Sequence, residues 1–582
     1  MKHSILLISL LGMSALSTAQ IPFVKGKAID AKLQEITLDA DQVNLNFGGS
    51  PATVSAKKSD VSVSFGQVVV NEAAGWNESA YVEFAKYPGA SSYNVYVKST
   101  SDADFTKIDA ELVRDYAAYM RADVVGLKAG SCQLRVVPVD ADGKEVTSAA
   151  TTTDELTVAA YDRAGFAHLN VTDGVGAYKN DGTLKADVRV IYVTAKTAKT
   201  VSLPVVTDSK GKETTFTGIQ AIVNGYQKGY EKRPLCVRFI GLIEKDDCDA
   251  LGSKEEGLQV KGKSAYSPMN MTFEGIGYDA TIRGFGFLIR NCASVELRNF
   301  ANMLCLDDAI SIDTDNKNIW VHNLDLFYGK PGSASDQVKG DGTVDMKGDS
   351  QYITVSYNHF WDNGKSSLCG MKSETGPNWI TYHHNWFDHS DSRHPRIRTM
   401  SVHVWNNYYD GNSKYGVGAA YQSNAFVEAN YFRACKYPML ISMQGSDVAT
   451  DPKGTFSGED GGMIKSFANY MTGQKRYVTY QQNATEFDAY EVQDRNETVP
   501  ANVVAKQGGR KYDNWDVDAS LMYTYTPDAA ADVPAKVTGP LGAGRMGHGD
   551  FRFTFTTADD SADAVNAKLK QAITDYTPSV VL

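Results

Sequence analysis

Seven cysteines among 582 residues are too few, and odd in number, to hold the chain together as a disulfide scaffold. Cys292, Cys305, Cys369 and Cys435 lie in apolar segments and are expected to pack as small buried hydrophobes, while Cys236 and Cys248 are near enough in sequence to pair. No cysteine precedes Cys132, which argues against a lipid-anchored cysteine near the start. Beyond the first residues no apolar run reaches the ~20 residues needed to cross a bilayer, so no membrane span is expected. Positive charge is also scarce. The 58 Lys and Arg against 69 Asp and Glu leave a net charge of -11, so nucleic acid is not the expected partner, although a locally basic groove is compatible with it. Proline is sparse at 17 residues; 50 Gly, 31 Tyr and 23 Phe point to a turn-rich, all-β protein.

Residues 1–19 carry Lys2 and His3, an apolar run from Ile5 to Leu16 and small residues at Ser17 and Ala19. This three-part pattern predicts a secretory signal peptide cleaved near Ala19-Gln20 and a secreted protein, extracellular or periplasmic. Residues 20–60 are polar and mixed, and are expected to form a leader. From 61 to 158 short alternating segments such as Tyr93-Asn94-Val95-Tyr96-Val97-Lys98 are separated by Pro88-Gly89 and Asp142-Gly143, predicting a small antiparallel β-sandwich. The run from Trp76 through Tyr93–Tyr96 to Leu134-Arg135-Val136 resembles a fibronectin type III-like module. It has no cluster of reactive side chains, and a spacer or weak adhesive role is expected.

A repeat emerges after Val295. Ile353–Asn358, Ile380–Asn385, Val402–Asn407, Ala425–Asn430 and Ile464–Asn469 each close on asparagine, with Phe360, Phe387, Tyr409, Phe432 and Met471 two positions later. Successive asparagines are 27, 22, 23 and 39 residues apart. One short strand per repeat at such a period predicts a solenoid, a right-handed parallel β-helix over 160–550, with stacked asparagines hydrogen-bonded into a ladder at strand spacing, about 4.8 Å. Asn299 and Asn323 fall one position early, which predicts a bulge or a shifted alignment. Residues 551–582 are expected to supply a strand and, over Ser561–Thr574, an amphipathic helix capping the solenoid.

Chemistry-bearing residues concentrate between Asp308 and Asn407. Asp341 and Asp345, in Asp-Gly-Thr-Val-Asp, are two strand periods apart and face one side, where both carboxylates suit a hard cation such as Ca²⁺. By itself an Asp-Gly turn is more often just a solvated turn. Asp308 lies upstream on the expected same face. Lys365, Arg393 and Arg398 follow the strands ending at Phe360 and Phe387, and arginine forks suit carboxylate recognition, so an acidic substrate is expected. Six of ten histidines fall between His359 and His403, but no H-E-x-x-H or comparable metal spacing occurs; His383 and His384, adjacent in a strand, are expected to face opposite sides as packing or groove-lining residues.

These segments together, Asp341-Gly-Thr-Val-Asp345, Ile380-Thr-Tyr-His-His-Asn385-Trp-Phe387, Ser392-Arg393-x-Pro395-x-x-Arg398 and His403-x-x-Asn406-Asn407, closely resemble those of extracellular pectate lyases of the first polysaccharide lyase family. The resemblance implies a Ca²⁺-dependent enzyme, expected to be a monomer, that cleaves α-1,4-polygalacturonate (pectate, from pectin) by β-elimination. Carried over by position, it implies Asp308, Asp341 and Asp345 as calcium ligands, Lys365, Arg398 and His394 as substrate-binding residues, and Arg393 as base, with Lys365 and Arg398 assisting catalysis. Two positions depart from the family pattern: Leu306 replaces an aspartate, and Trp320-Val321-His322-Asn323 replaces W-[IV]-D-H. Rival readings are a hydrolase using two carboxylates across the bond, a pectin lyase on methyl esters, and a non-catalytic polysaccharide-binding protein.

Overall fold

Short apolar alternations broken by turn residues cannot bury two faces alone, and this chain solves the problem in two ways: by pairing sheets face to face and by coiling. A computed structural model describes residues 66–331 and 338–582 in full and, between 33 and 65, the backbone of four strands. The expected signal peptide, 1–19, lies outside the described residues. The chain divides into two units, residues 1–161 with 580–582, and residues 162–579.

In the first unit, strands Leu33–Asp39, Gln42–Phe47, Ser50–Ser55 and Ser62–Phe65 pair in sequence order as an antiparallel sheet. The expected leader over 20–60 is therefore corrected in its second half, where Leu33–Asp39, Gln42–Phe47 and Ser50–Ser55 are strands; residues 20–32 lie outside the described residues. The overlooked signal was Gly48-Gly49 between Phe47 and Ser50, which pair across it, a glycine pair typical of a two-residue hairpin. The sandwich follows. One sheet runs Val70–Trp76, Ser79–Phe84, Met120–Val125, Val113–Asp115; the other is built on Gly130–Val139 between Ser92–Ser99 and Thr151–Thr152. Val82, Phe84, Val95, Leu134 and Val136 fill the space between them.

The second unit is a parallel β-helix of three sheets with eleven, nine and eight strands. Each coil contributes a strand to the first sheet, turns a corner, adds a short strand to the second, and returns by a loop to the third. The corner is one residue in the left-handed region, at Asn299, Asn323, Tyr357, His384, Asn406, Ala429 and Ala468, with φ between 50° and 57°. The next residue is the ladder position. Asn358, Asn385, Asn407 and Asn430 each donate Nδ2 to the Oδ1 of the next ladder asparagine at 2.9–3.0 Å, the last acceptor being Asn469. Asn299 and Asn323 are thus neither bulged nor misaligned: they occupy the corner, where asparagine tolerates positive φ, and Phe300 and Leu324 hold the ladder position. Inside, Phe360, Phe387, Tyr409 and Phe432 stack at centroid spacings of 4.8, 5.1 and 4.2 Å. Asn407 accepts from both Asn385 N and Nδ2 and donates to Tyr382 O. Asn407→Ala is therefore expected to cost about 3 kcal/mol, read as a lowered urea midpoint, because it strands buried Asn385 donors in one coil and removes a donor to Asn430 Oδ1 in the next.

The carboxy-terminal expectations change. No strand is found among 551–582; the helix spans Ala567–Thr574, capped by Asn566, which accepts from Lys568 N and Leu569 N. It caps no end. Leu569 and Ile573 lie with Phe551 and Tyr576 on Met303, Phe327 and Trp361, covering the outer face of the second sheet. The helix Ile219–Gln227 instead packs against Leu258–Lys261, the first strand of the third sheet. Cys236 and Cys248 are free and buried, as are the other five cysteines, so the possible pairing does not form. Among the described residues no helix is long and apolar enough to cross a membrane.

Candidate active site

Alternation along the third sheet decides which side chains leave the core. In Ile310–Ile312, Val344–Met346 and Arg396–Ile397, the residues Ile310, Ile312, Val344, Met346 and Ile397 point inward, and Ser311, Asp345 and Arg396 share the outer face. The turns entering these strands hold the other candidates. Backbone bonds zip the turns together: Thr343 N donates to Lys365 O at 3.0 Å, and Ser367 N to Arg393 O at 2.7 Å.

The acidic half is a cluster. Ligand oxygens of Asp307, Asp308 and Asp341 lie within 4.8 Å of one another. Asp345 stands beside them, with Oδ1 accepting from Leu368 N at 2.9 Å. Burial, then Asp345 and its other acidic neighbours, push Asp308 well above the ordinary carboxylate range; burial also raises Asp345 and Asp307. Although burial opposes its charge, Lys347 is held above the usual lysine value by Asp308 and Asp345, yet its Nζ is 3.9 Å from Asp308 Oδ2. Carboxylate oxygens crowded this closely fit a hard divalent cation. Asp307, adjacent to the position where the family aspartate is Leu306, joins this group.

The basic half adjoins it. Lys365 Nζ is 2.9 Å from Asp341 Oδ1, and Arg393 Nη1 is 3.9 Å from Asp345 Oδ2. Arg393 has φ 65°, which turns its side chain out of the run of the strand. Arg398 is held by Glu459, with Nε to Oε2 at 2.8 Å and Nη2 to Oε1 at 3.0 Å. Behind the loops, buried Lys339 donates to Asp362 and Asp391, both at 2.7 Å, bracing the turns that lead to Lys365 and Arg393. Sequence reading missed Lys339, Lys347, Arg396 and Glu459, since none has a local pattern separating it from an ordinary surface charge.

One site expectation is overturned. His394 is fully buried: its Nδ1 donates to Tyr415 O at 2.7 Å, its Nε2 accepts from Ser390 Oγ at 2.8 Å, and its ring packs against Phe387. It anchors the turn after Arg393. Burial pushes it down to about 3, so it is neutral when folded and protonates freely when unfolded. Its contribution is complete above about pH 6.5 and is lost as pH falls towards 3, at up to ~1.4 kcal/mol per pH unit. Urea midpoints at pH 7, 5 and 4 are expected to fall accordingly, and less steeply in His394→Gln.

The histidine pair also differs from expectation. His384 is a corner residue, so its ring turns back and its Nδ1 lies 2.9 Å from His383 Nδ1; its Nε2 is 2.9 Å from Asp528 Oδ2. With Asp162 they form a second group of ligand-type atoms within 4.8 Å. In a relay in which Asp528 accepts from His384, and His384 from His383, both nitrogens of His384 are engaged and His383 Nε2 is left without a hydrogen-bond partner. His322, where the family pattern has aspartate, pairs with Glu296 of the preceding coil at 3.1 Å.

A parallel β-helix with acidic and basic rows side by side on one sheet can bind an anionic polymer lengthwise.

Residues 257–470 match the pectate lyase family model.

The matched span holds every candidate above. Pectate trisaccharide-lyase of Bacillus licheniformis is 33% identical over 234 residues, covering 40% of this chain and 65% of that protein. The chain thus spans just under two thirds of that relative's length. Pectate lyase 3 of Pectobacterium carotovorum subsp. carotovorum is 26% identical over 294 residues, 49% of this chain and 72% of the relative. A pectate lyase of Bacillus sp. N165, solved in complex with trigalacturonate, shares 20% identity at a TM-score of 0.44, covering 66% of this chain and 99% of that one.

Proposed function

We propose that this chain is a secreted, calcium-dependent pectate lyase that cleaves α-1,4-polygalacturonate by β-elimination. The observation that carries the reading is the contact of the two rows, with Lys365 Nζ 2.9 Å from Asp341 Oδ1 and Arg393 Nη1 3.9 Å from Asp345 Oδ2. Asp307, Asp308, Asp341 and Asp345 would hold the ion, which when bound supplies positive charge to a uronate carboxylate whose neighbouring C5–H is to be removed. Lys365 and Arg398 line the groove beside the polymer, and Lys365 faces charge developing on the reacting uronate. Arg393 takes the C5 proton; the electron pair forms C4=C5 as the C4 oxygen leaves and takes up a proton from solvent, so the proton removed and the proton gained balance and an unsaturated uronide forms with no water consumed. The hydrolase rival leaves this basic row without a task. The sandwich is read as a fibronectin type III-like spacer.

The expected result is an ultraviolet-absorbing enoate released from polygalacturonate, abolished by EGTA and restored by Ca²⁺. Reducing ends without that absorbance would show a hydrolase, and undiminished rates after chelation would remove calcium from the reaction. Asp308→Asn is expected to lower the rate about 10²-fold at limiting Ca²⁺, with partial recovery as Ca²⁺ rises.

A further inference from the structure

Resting on that reading, we infer that Glu459 is a specificity-determining residue: it occupies Arg398 with an internal carboxylate, so the groove accepts methyl-esterified galacturonate at the subsite facing Arg398. The contact is the bidentate fork by which arginine recognises a carboxylate, with both oxygens engaged, at 2.8 and 3.0 Å. Lys372 Nζ adds a contact to Oε1 at 2.9 Å and Ser457 Oγ one to Oε2 at 3.0 Å. Burial alone would raise Glu459, but hydrogen bonds from Arg398 and Lys372 hold it down at about 2, so it is charged wherever a lyase of this kind works.

The carboxylate is delivered by an insertion. Segment 442–462 accounts for the step of 39 residues from Asn430 to Asn469, where preceding steps are 22 and 23. This segment is built rather than loose. Asp447 accepts from Met443 N, Thr455 N and Phe456 N, Ser442 Oγ donates to Glu459 O at 2.8 Å, and Phe456 packs on Tyr415 at 5.0 Å. Glu459 is therefore fixed before any substrate arrives.

Charge accounting at Arg398 gives the consequence. An unpaired, largely desolvated guanidinium demands an anionic partner, and a methyl ester there leaves its charge unanswered. Paired with Glu459, the guanidinium is already neutralised. Only Nη1 remains weakly engaged, 3.4 Å from Gly370 O, and it can give one hydrogen bond to an ester carbonyl as readily as to a carboxylate. The reacting uronate stays under the opposite demand, because Lys365 and the acidic cluster meet at Asp341, whereas Glu459 contacts Arg398, Lys372 and Ser457. The substrate class is thus galacturonan with free carboxylates at the reacting sugar and esters tolerated beside it.

The test is calorimetric binding of polygalacturonate and of a half-methyl-esterified galacturonan, in Ca²⁺, on the Arg393→Lys chain with and without Glu459→Gln. With Glu459 present, the two affinities are expected within about threefold; Glu459→Gln is expected to tighten polygalacturonate about tenfold and to leave the ester unchanged. Glu459→Asp, which keeps the charge but shortens its reach, is expected to shift the ratio less and in the same direction, and covers the case in which the glutamine variant fails to fold. Equal weakening of both polymers by Glu459→Gln, a strong preference for the unesterified polymer with Glu459 in place, or binding of neither polymer overturns the inference. Enoate release by the unaltered chain judges the lyase reading separately. If no enoate forms while the affinity ratio shifts, that reading falls and the role of Glu459 stands.

Discussion

Arg393→Lys is expected to lower kcat about 10³-fold while leaving calcium-dependent oligogalacturonate affinity within about threefold, by product absorbance and calorimetry respectively. The reasoning is positional. The Arg393 carbonyl is fixed by Ser367 N, its backbone by a left-handed φ, and the preceding turn by Lys339 through Asp391. Only the side-chain head is left to vary. Lysine preserves one positive charge for binding but replaces a planar fork with a point charge on a flexible stem, which cannot present a nitrogen to the same spot. Substrate affinity drawn from Lys365 and the acidic cluster survives that change. A near-normal rate in Arg393→Lys would move the base to another residue.

Arg545→Leu is expected to destabilise the solenoid by about 3–5 kcal/mol, seen as a lowered urea midpoint. Arg545 is fully buried, donates through Nε to Asp325 Oδ2 at 2.6 Å and through Nη1 to Thr281 Oγ1 at 3.1 Å. Truncating it leaves Asp325, 1% exposed, as an uncompensated charge in the second sheet. It also loosens the segment that crosses two coils, where Asn323 Nδ2 donates to Gly542 O and Gly544 O and Asn299 Oδ1 accepts from Met546 N. The double variant Arg545→Leu with Asp325→Leu is expected to recover part of the loss, because removing both charges cancels the desolvation penalty that removing one exposes. No recovery would place the cost in the crossing segment rather than in the ion pair.

The solenoid was legible because its signal repeats. An asparagine followed two residues later by a large apolar side chain recurs five times, and one register satisfies all five. The early asparagines were harder: residues 299 and 323 carry the same amide as the ladder but use it at the corner, and only the strand register separates the two jobs. His394 was misplaced for a related reason. Arg393 and Arg398 meet carboxylates of Asp345 and Glu459, whereas the side chain of His394 turns into the core, and sequence proximity carries no information about that turn.

From the sequence alone came the period, the parallel coiling and the acidic and basic residue types of the candidate site, because these depend on local alternation and on chemistry each side chain carries anywhere. Tertiary structure alone decided that Asp307 joins the acidic cluster, that Lys339 braces two loops, that the terminal helix lies on a flank, and that Glu459, 61 residues beyond Arg398, meets its guanidinium. Those are contacts between distant segments, set by where each coil stacks on the last, and no short stretch of the chain encodes them.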